Sequence, residues 1–401
     1  MEKANARIEV LDSVRGLASS QVVIGHCFLA LSTLAWLMHE QKAPYPHTLA
    51  FFIANSPLHL FWSAGPAVKL FFVLSGFVLS LPYYRNGSSD KKNNYFSFFI
   101  KRVIRLYIPC VVIILASFGL KYALYKPGAT TAFNDWINDV WAGDLSFKRL
   151  LTLLSLNTYF NDIDPALWTL PIEIKLSLIL PLFIYFHKRL NVLWSIVVVL
   201  AYVVVYHGLV KVGITRILPD FATMYYFSLF IFGSLLCKYR ATLIASVNKL
   251  NAFAFYGILL VAVFIYTGDY SLWWLPKKVF GAFKMIPEDY RAAIAAIIFV
   301  WFALSDRATW LLNTKALLFL GKMSFSLYLT HQVIIVVCVY LFGPFLNPYV
   351  VIFGGAVVSV GVAMLFYKLV EAPSLELAKR AAKYITTHQY YLHFAQNKGG
   401  A

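Results

Sequence analysis

The sequence predicts an all-α, polytopic integral membrane protein with about ten transmembrane helices and both termini cytoplasmic. Three observations carry that expectation. The chain is 60% hydrophobic and only 13% charged, with a mean hydropathy of +0.69, whereas soluble chains are about a quarter charged. Apolar stretches of roughly 20 residues, each long enough to cross a hydrocarbon core of about 30 Å, recur from end to end. Basic residues gather at the ends of alternate stretches, the usual mark of cytoplasmic loops. A membrane β-barrel would need short segments of alternating hydrophobicity, which are absent.

The apolar runs fall near residues 16–38, 60–82, 106–125, 167–186, 190–210, 221–237, 252–268, 292–305, 323–343 and 349–370. With the N-terminus inside, cytoplasmic segments hold 22 Lys and Arg and the opposite segments 11, with Lys69 and Lys175 set apart inside spans. That twofold bias places both termini on the cytoplasmic side. The formal charge of +17 is therefore a topology signal, and nucleic acid is not expected as a partner. Residues 1–375 read as one transmembrane domain and 376–401 as a cytoplasmic tail. No cleavable signal peptide is expected, because residues 1–15 mix acidic and basic side chains and no small-residue cleavage site follows.

Cys27, Cys110, Cys237 and Cys338 all lie in apolar runs. They lack metal or disulfide spacing and read as small buried hydrophobes. Two long connections stand out. Residues 126–166 read as an interfacial or re-entrant segment, and residues 269–291 set Trp273 and Trp274 beside Lys277 and Lys278, as at a membrane surface.

Polar groups within spans are costly and hence informative. Arg15 and His26 lie eleven residues apart in "LDSVRGLASSQVVIGH". That is nearly three helical turns, so they share a face, separated by roughly 16 Å along the axis. They are either a snorkelling Arg and a structural His, or one functional polar stripe. In "VKLFFVLSGF", Lys69 enters the second span, and Ser75-Gly76 offers a small surface for close approach. Arg102 and Arg105, at i, i+3 before Pro109, are either a topology anchor or a phosphate clamp. In "LWTLPIEIKL", Glu173 is expected in the outer half of its span. Pro171 is expected to loosen the backbone beside it, and Lys175 faces away from it. Ser324 and Tyr328 share a face in "LGKMSFSLYLTHQ", with His331 three residues on. Glu371 and Pro373 read as the end of the last span.

Taken together these stretches resemble membrane acyltransferase family three, which moves acyl groups onto carbohydrate and other hydroxyls. The matching strings are "LDSVRGLASSQVVIGH", "FFVLSGF", Arg102-Arg105-Pro109, "WTLPIE" with Thr169 where the family has Ser, Gly321 to His331, and Glu371-Ala372-Pro373. They run in the family's order across nearly the whole chain.

The resemblance implies an O-acyltransferase, with His26, Arg15 and Glu173 catalytic. It implies acyl-coenzyme A as donor, acetyl-coenzyme A foremost, and no metal. Arg102, Arg105, Ser75 and Lys69 are expected to bind that donor. Trp168, Tyr328 and His331 are expected to bind the acceptor, a cell-surface or exported glycan or another hydroxyl compound. His26 would act as general base or carry the acyl group, and Glu173 would orient His26 or bind the acceptor. The setting would be a plasma (inner) membrane, with the lipid bilayer as partner. A homo-oligomer is allowed but not specified. Many relatives carry an esterase-like domain after the last span. None is expected here, and a second transfer step would then be expected to need a separate protein. A transporter or flippase for polysaccharide intermediates also accommodates the spans and buried charges, but it leaves the joint motif set unexplained.

Overall fold

The computed structural model describes residues 2–35, 48–84, 95–128, 130, 132–156, 161–213 and 220–398, and these form helices joined by turns and irregular connections, with no strand. The tail of the first expected span (36–38) and the basic stretch around Arg85, Lys91 and Lys92 lie outside the described residues.

Ten long helices stand where the sequence places its apolar runs. They are α1 (Glu2–Ala30), α2 (Ala64–Ser80), α3 (Tyr95–Leu124), α4 (Leu170–His187), α5 (Val192–Lys211), α6 (Phe221–Lys238), α7 (Ala252–Tyr266), α8 (Glu288–Ala303), α9 (Ser324–Phe342) and α10 (Pro348–Phe366). An eleventh, α11 (Ala372–Lys398), packs along the start of α3.

Among the described residues, seven helices are long and apolar enough to cross a membrane, or up to nine when each of two bent pairs counts as one span. The pairs join α7 to Arg240–Lys249 at 119° and α8 to Asp306–Leu312 at 91°. Alone, α7 and α8 are too short to cross. The polar side chains of Arg15, Ser19, Ser20, Gln21 and His26 dilute the apolar run of α1, which is not among the nine.

Two helix boundaries depart from expectation. α3 begins at Tyr95, eleven residues before the apolar run, so Lys101, Arg102 and Arg105 belong to a helix face rather than a loop. Pro373 does not end the last span. The chain passes through a wide π turn at Tyr367–Glu371 and continues as α11, with Pro373 in its first turn. A π turn relaxes the hydrogen-bond ladder where proline has no N–H to give. The expected domain edge near residue 375 falls inside α11.

The interior holds two large buried apolar clusters, to both of which α1 belongs, and a small third around Val247, Phe255 and Phe302. Val10, Val14 and Val22 join Phe72, Phe77, Phe230 and Val300 from α2, α6 and α8. Val23 and Cys27 join Ile114, Trp141, Val336 and Ile352 from α3, α9, α10 and the connection after α3. Arg15 and His26 therefore sit either side of the seam between them. All four cysteines are buried and free.

Close backbone approach fixes the two tightest contacts. A Cβ on Gly76 would strike the backbone of Phe230, and one on Gly233 the backbone of Val73 and Phe77. Gly76 is thus a packing surface between α2 and α6. A Cβ on Gly16 would lie 2.7 Å from the Gly321 nitrogen, and one on Gly321 would strike Asp12. This glycine pair seats α1 on the short helix Lys315–Lys322.

Candidate active site

His26 lies one turn before the end of α1, where the connection after α3 folds over it. The Asn134 N–H donates to the Ala30 carbonyl at 3.0 Å, capping an otherwise open helix end. This holds the short helix Asp135–Asp139 in place and sets the Trp136 ring 5.1 Å from the His26 ring. The cap is anchored by Trp141, fully buried in a left-handed backbone conformation (φ 71°). Its indole donates to the Ile163 carbonyl at 3.1 Å and stacks on Tyr340. Arg149 pairs with Asp162, and Lys121 donates to the Gly143 carbonyl, fastening the cap to α3.

His26 Nδ1 is 2.9 Å from His331 Nε2, and His331 Nδ1 is 2.9 Å from the Leu327 carbonyl. A carbonyl only accepts, so His331 Nδ1 carries the proton and its Nε2 the lone pair. His26 Nδ1–H therefore donates to His331, and His26 Nε2 is left with a lone pair. No hydrogen bond of full geometry reaches Nε2 among the described residues, and the Gln332 side chain interacts with the same imidazole. His331 is fully buried and His26 only partly so, which leaves the free nitrogen on the more open ring. The geometry suits one ring to orient and the other to accept a proton.

The second half of the site is a charge cluster. Arg102 Nη2 meets Glu173 Oε1 at 2.6 Å, and Ser75 Oγ donates to the same oxygen at 3.4 Å. Arg105 lies within electrostatic reach of Arg102, Arg15, Glu371 and Glu173. Glu371 accepts from Ser326 Oγ at 2.5 Å. Three guanidiniums face two carboxylates, leaving an unmatched positive charge. Such a cluster suits an anion, because guanidinium groups bind phosphate oxygens bidentately. Arg15 is only loosely held, with Asp12 at 3.9 Å.

A narrow cavity of about 30 Å³ lies beside the charge cluster, lined chiefly by Arg15, Ser75, Thr169, Glu173, Ser324 and Tyr328, with His26 and His331 outside its lining. Four of the quoted strings meet in this lining, and a fifth enters through Arg102. Tyr328 and Thr169 share a hydrogen bond of 3.0 Å, and the Tyr328 ring stands 6.2 Å from His331. Space for about one water means that a larger donor enters only when the lining helices part.

Several expected residues take other places. Glu173 does not bond His26; Arg102 and Ser75 hold it, level with the start of α3, and His331 does the orienting instead. Pro171 does not loosen the backbone. It occupies the first turn of α4, where its missing N–H costs nothing. Lys175 faces away from Glu173, as the spacing requires, and pairs with Asp220 at 2.9 Å. Lys69 is outside the Arg cluster, ion-paired to Asp289 at 2.7 Å. Trp168 packs against Tyr226 with ring centroids 5.9 Å apart, outside the cavity lining.

Asp164 escaped the sequence reading. It is fully buried and caps the turn Pro165–Thr169, its Oδ1 accepting from the Ala166 N–H at 3.2 Å while Oδ2 has no partner. Burial pushes its carboxyl up to about 8 from the ordinary 3.8. The folded state then holds a proton that the unfolded chain releases, so this contribution to stability is complete below about pH 4 and is lost as pH rises through about 8. Asp164→Asn cannot titrate. Its melting temperature relative to wild type should climb between these pH values and level above them, which thermal melts of detergent-solubilised protein across pH will check.

An all-helical bundle with membrane-length apolar helices, an internal histidine pair and an arginine cluster defines the class, a multi-pass membrane protein with an internal polar site. The chain belongs to the family of the acyltransferase domain, whose model matches residues 8–368. A curated relative, the O-acetyltransferase PaAT-1 of Phomopsis amygdali, is 28% identical over 211 residues, covering 45% of this chain and 41% of that protein. The chain thus matches less than half the length of that relative. No solved structure matches the chain.

Proposed function

We propose that the protein is an O-acetyltransferase that takes an acetyl group from acetyl-coenzyme A and places it on a hydroxyl of a glycan. The observation that carries this reading is the His26–His331 pair, whose His26 stands on the same helix, α1, as Arg15, which joins Arg102 and Arg105 in one charge cluster and lines the polar cavity beside it. Anionic phosphates of the donor would rest on Arg105 and Arg15, with Arg102 committed to Glu173. The acyl arm would run past Tyr328 toward His26. His26 Nε2 takes the proton from the acceptor hydroxyl, whose oxygen attacks the thioester carbonyl carbon. A C–O bond forms, the C–S bond breaks, and the coenzyme thiolate leaves with the proton from His26. His331 keeps the proton of His26 on Nδ1 throughout.

Donor entry from the cytoplasm is supported by the Lys and Arg bias of the segments assigned inside, which also supports cytoplasmic termini. The family membership and the name of the Phomopsis relative favour acetyl transfer. The test is incubation of purified protein with acetyl-labelled coenzyme A and a panel of glycans. The expected product is a labelled ester. Movement of glycan across vesicles with no coenzyme A released would replace this reading with transport.

A further inference from the structure

Gln332 follows His331 on α9, is fully buried, and is fixed beside His26. Its side chain comes near enough to interact with the His26 imidazole, yet neither its Oε1 nor its Nε2 reaches full hydrogen-bond geometry with any group among the described residues. Leaving a buried amide unpartnered costs about 1–3 kcal/mol per group, and a methionine of the same length would fill the space without that cost. A residue kept at such expense, next to the free base, has a partner that comes and goes.

We propose that Gln332 is a catalytic residue, whose Nε2–H donates to the carbonyl oxygen of the acyl group being transferred. This rests on the acyl-transfer reading above. When the acceptor oxygen attacks, the carbonyl electron pair moves onto oxygen and gives a tetrahedral oxyanion beside His26. Hydrogen-bond donors already aimed at that oxygen in a dry site stabilise it without reorganisation. His26 and Gln332 then divide the work between them: one removes the proton from the attacking oxygen, and the other holds the charge that appears on the carbonyl oxygen.

The test compares wild type with Gln332→Met and Gln332→Glu in purified form, using acetyl-coenzyme A as donor and measuring kcat, KM for the donor and melting temperature. Removing an oxyanion donor lowers kcat by about 100- to 1000-fold in comparable sites. Gln332→Met should show a loss of that order, with KM for the donor within about threefold of wild type. Its melting temperature should equal or exceed that of wild type, because an unsatisfied amide has been removed. Gln332→Glu should be slower still, since its carboxylate repels the oxyanion. The proposal is overturned by a kcat for Gln332→Met within threefold of wild type, by a loss confined to KM, or by activity falling together with melting temperature. Absence of acetyl transfer by the wild type itself defeats the parent reading, and this proposal with it. In that case Gln332→Met still reports, through its melting temperature, whether the amide is structural.

Discussion

His26→Ala is expected to lower acyl transfer by about 1000-fold or more while the protein still inserts and folds. General-base catalysis is worth about 100- to 10,000-fold, and His26 Nε2 is the nitrogen in this pair with an unshared lone pair. His331 cannot substitute, since its Nδ1 is committed to the Leu327 carbonyl and its ring is fully buried. Folding should survive because His26 touches chiefly Trp136 and His331, not a tight core. The measurement is ester formation per folded molecule, with monodispersity and melting temperature as controls. A folded His26→Ala variant that keeps a tenth of wild-type transfer would remove His26 from the mechanism.

Breaking the Arg102–Glu173 pair should be the most destabilising single change in the site. The Arg102 side chain is 8% exposed and that of Glu173 18%. Removing one partner strands the other charge away from water, at a cost of about 3–5 kcal/mol. Glu173→Ala should suffer more than a surface change of equal size, because the Arg102 Nε already lacks a partner. Replacing both, as Arg102→Met with Glu173→Leu, should recover most of the stability, since a buried pair is often worth no more than well-packed apolar side chains. Transfer should stay low in the double variant if the cluster tunes the anion site. Full recovery of both stability and transfer would make the pair purely architectural. Melting curves and donor KM on the same preparations separate these outcomes.

Much of this arrangement was legible in the residues. Apolar length located ten helices, because every backbone group in a bilayer must be satisfied within its own segment. Helical pitch put Arg15 and His26 on one face, and spacing turned Lys175 away from Glu173. Partner choice was not legible. Nothing in "LYLTHQ" says that His331 meets His26, since the two are 305 residues apart and only tertiary packing joins them. Glu371 looked like a helix end because it stands before a proline, yet it is 3% exposed and bound to Ser326. Gln332 was visible as a polar residue in an apolar run. Its lack of a partner is a property of the packed state alone.

The contact between Gly16 and Gly321 carries a consequence for reading mutational scans. Neither residue has a group that can bind or transfer anything, yet Gly16 adjoins Arg15, and the rod of α1 carries His26 to His331 at its far end. A single methyl at Gly16 would tilt that rod like a lever. The largest displacement would arise at the imidazole rather than at the mutated residue. In a screen scored by activity, alanine at either glycine would look like a lost chemical group, when what has been lost is alignment.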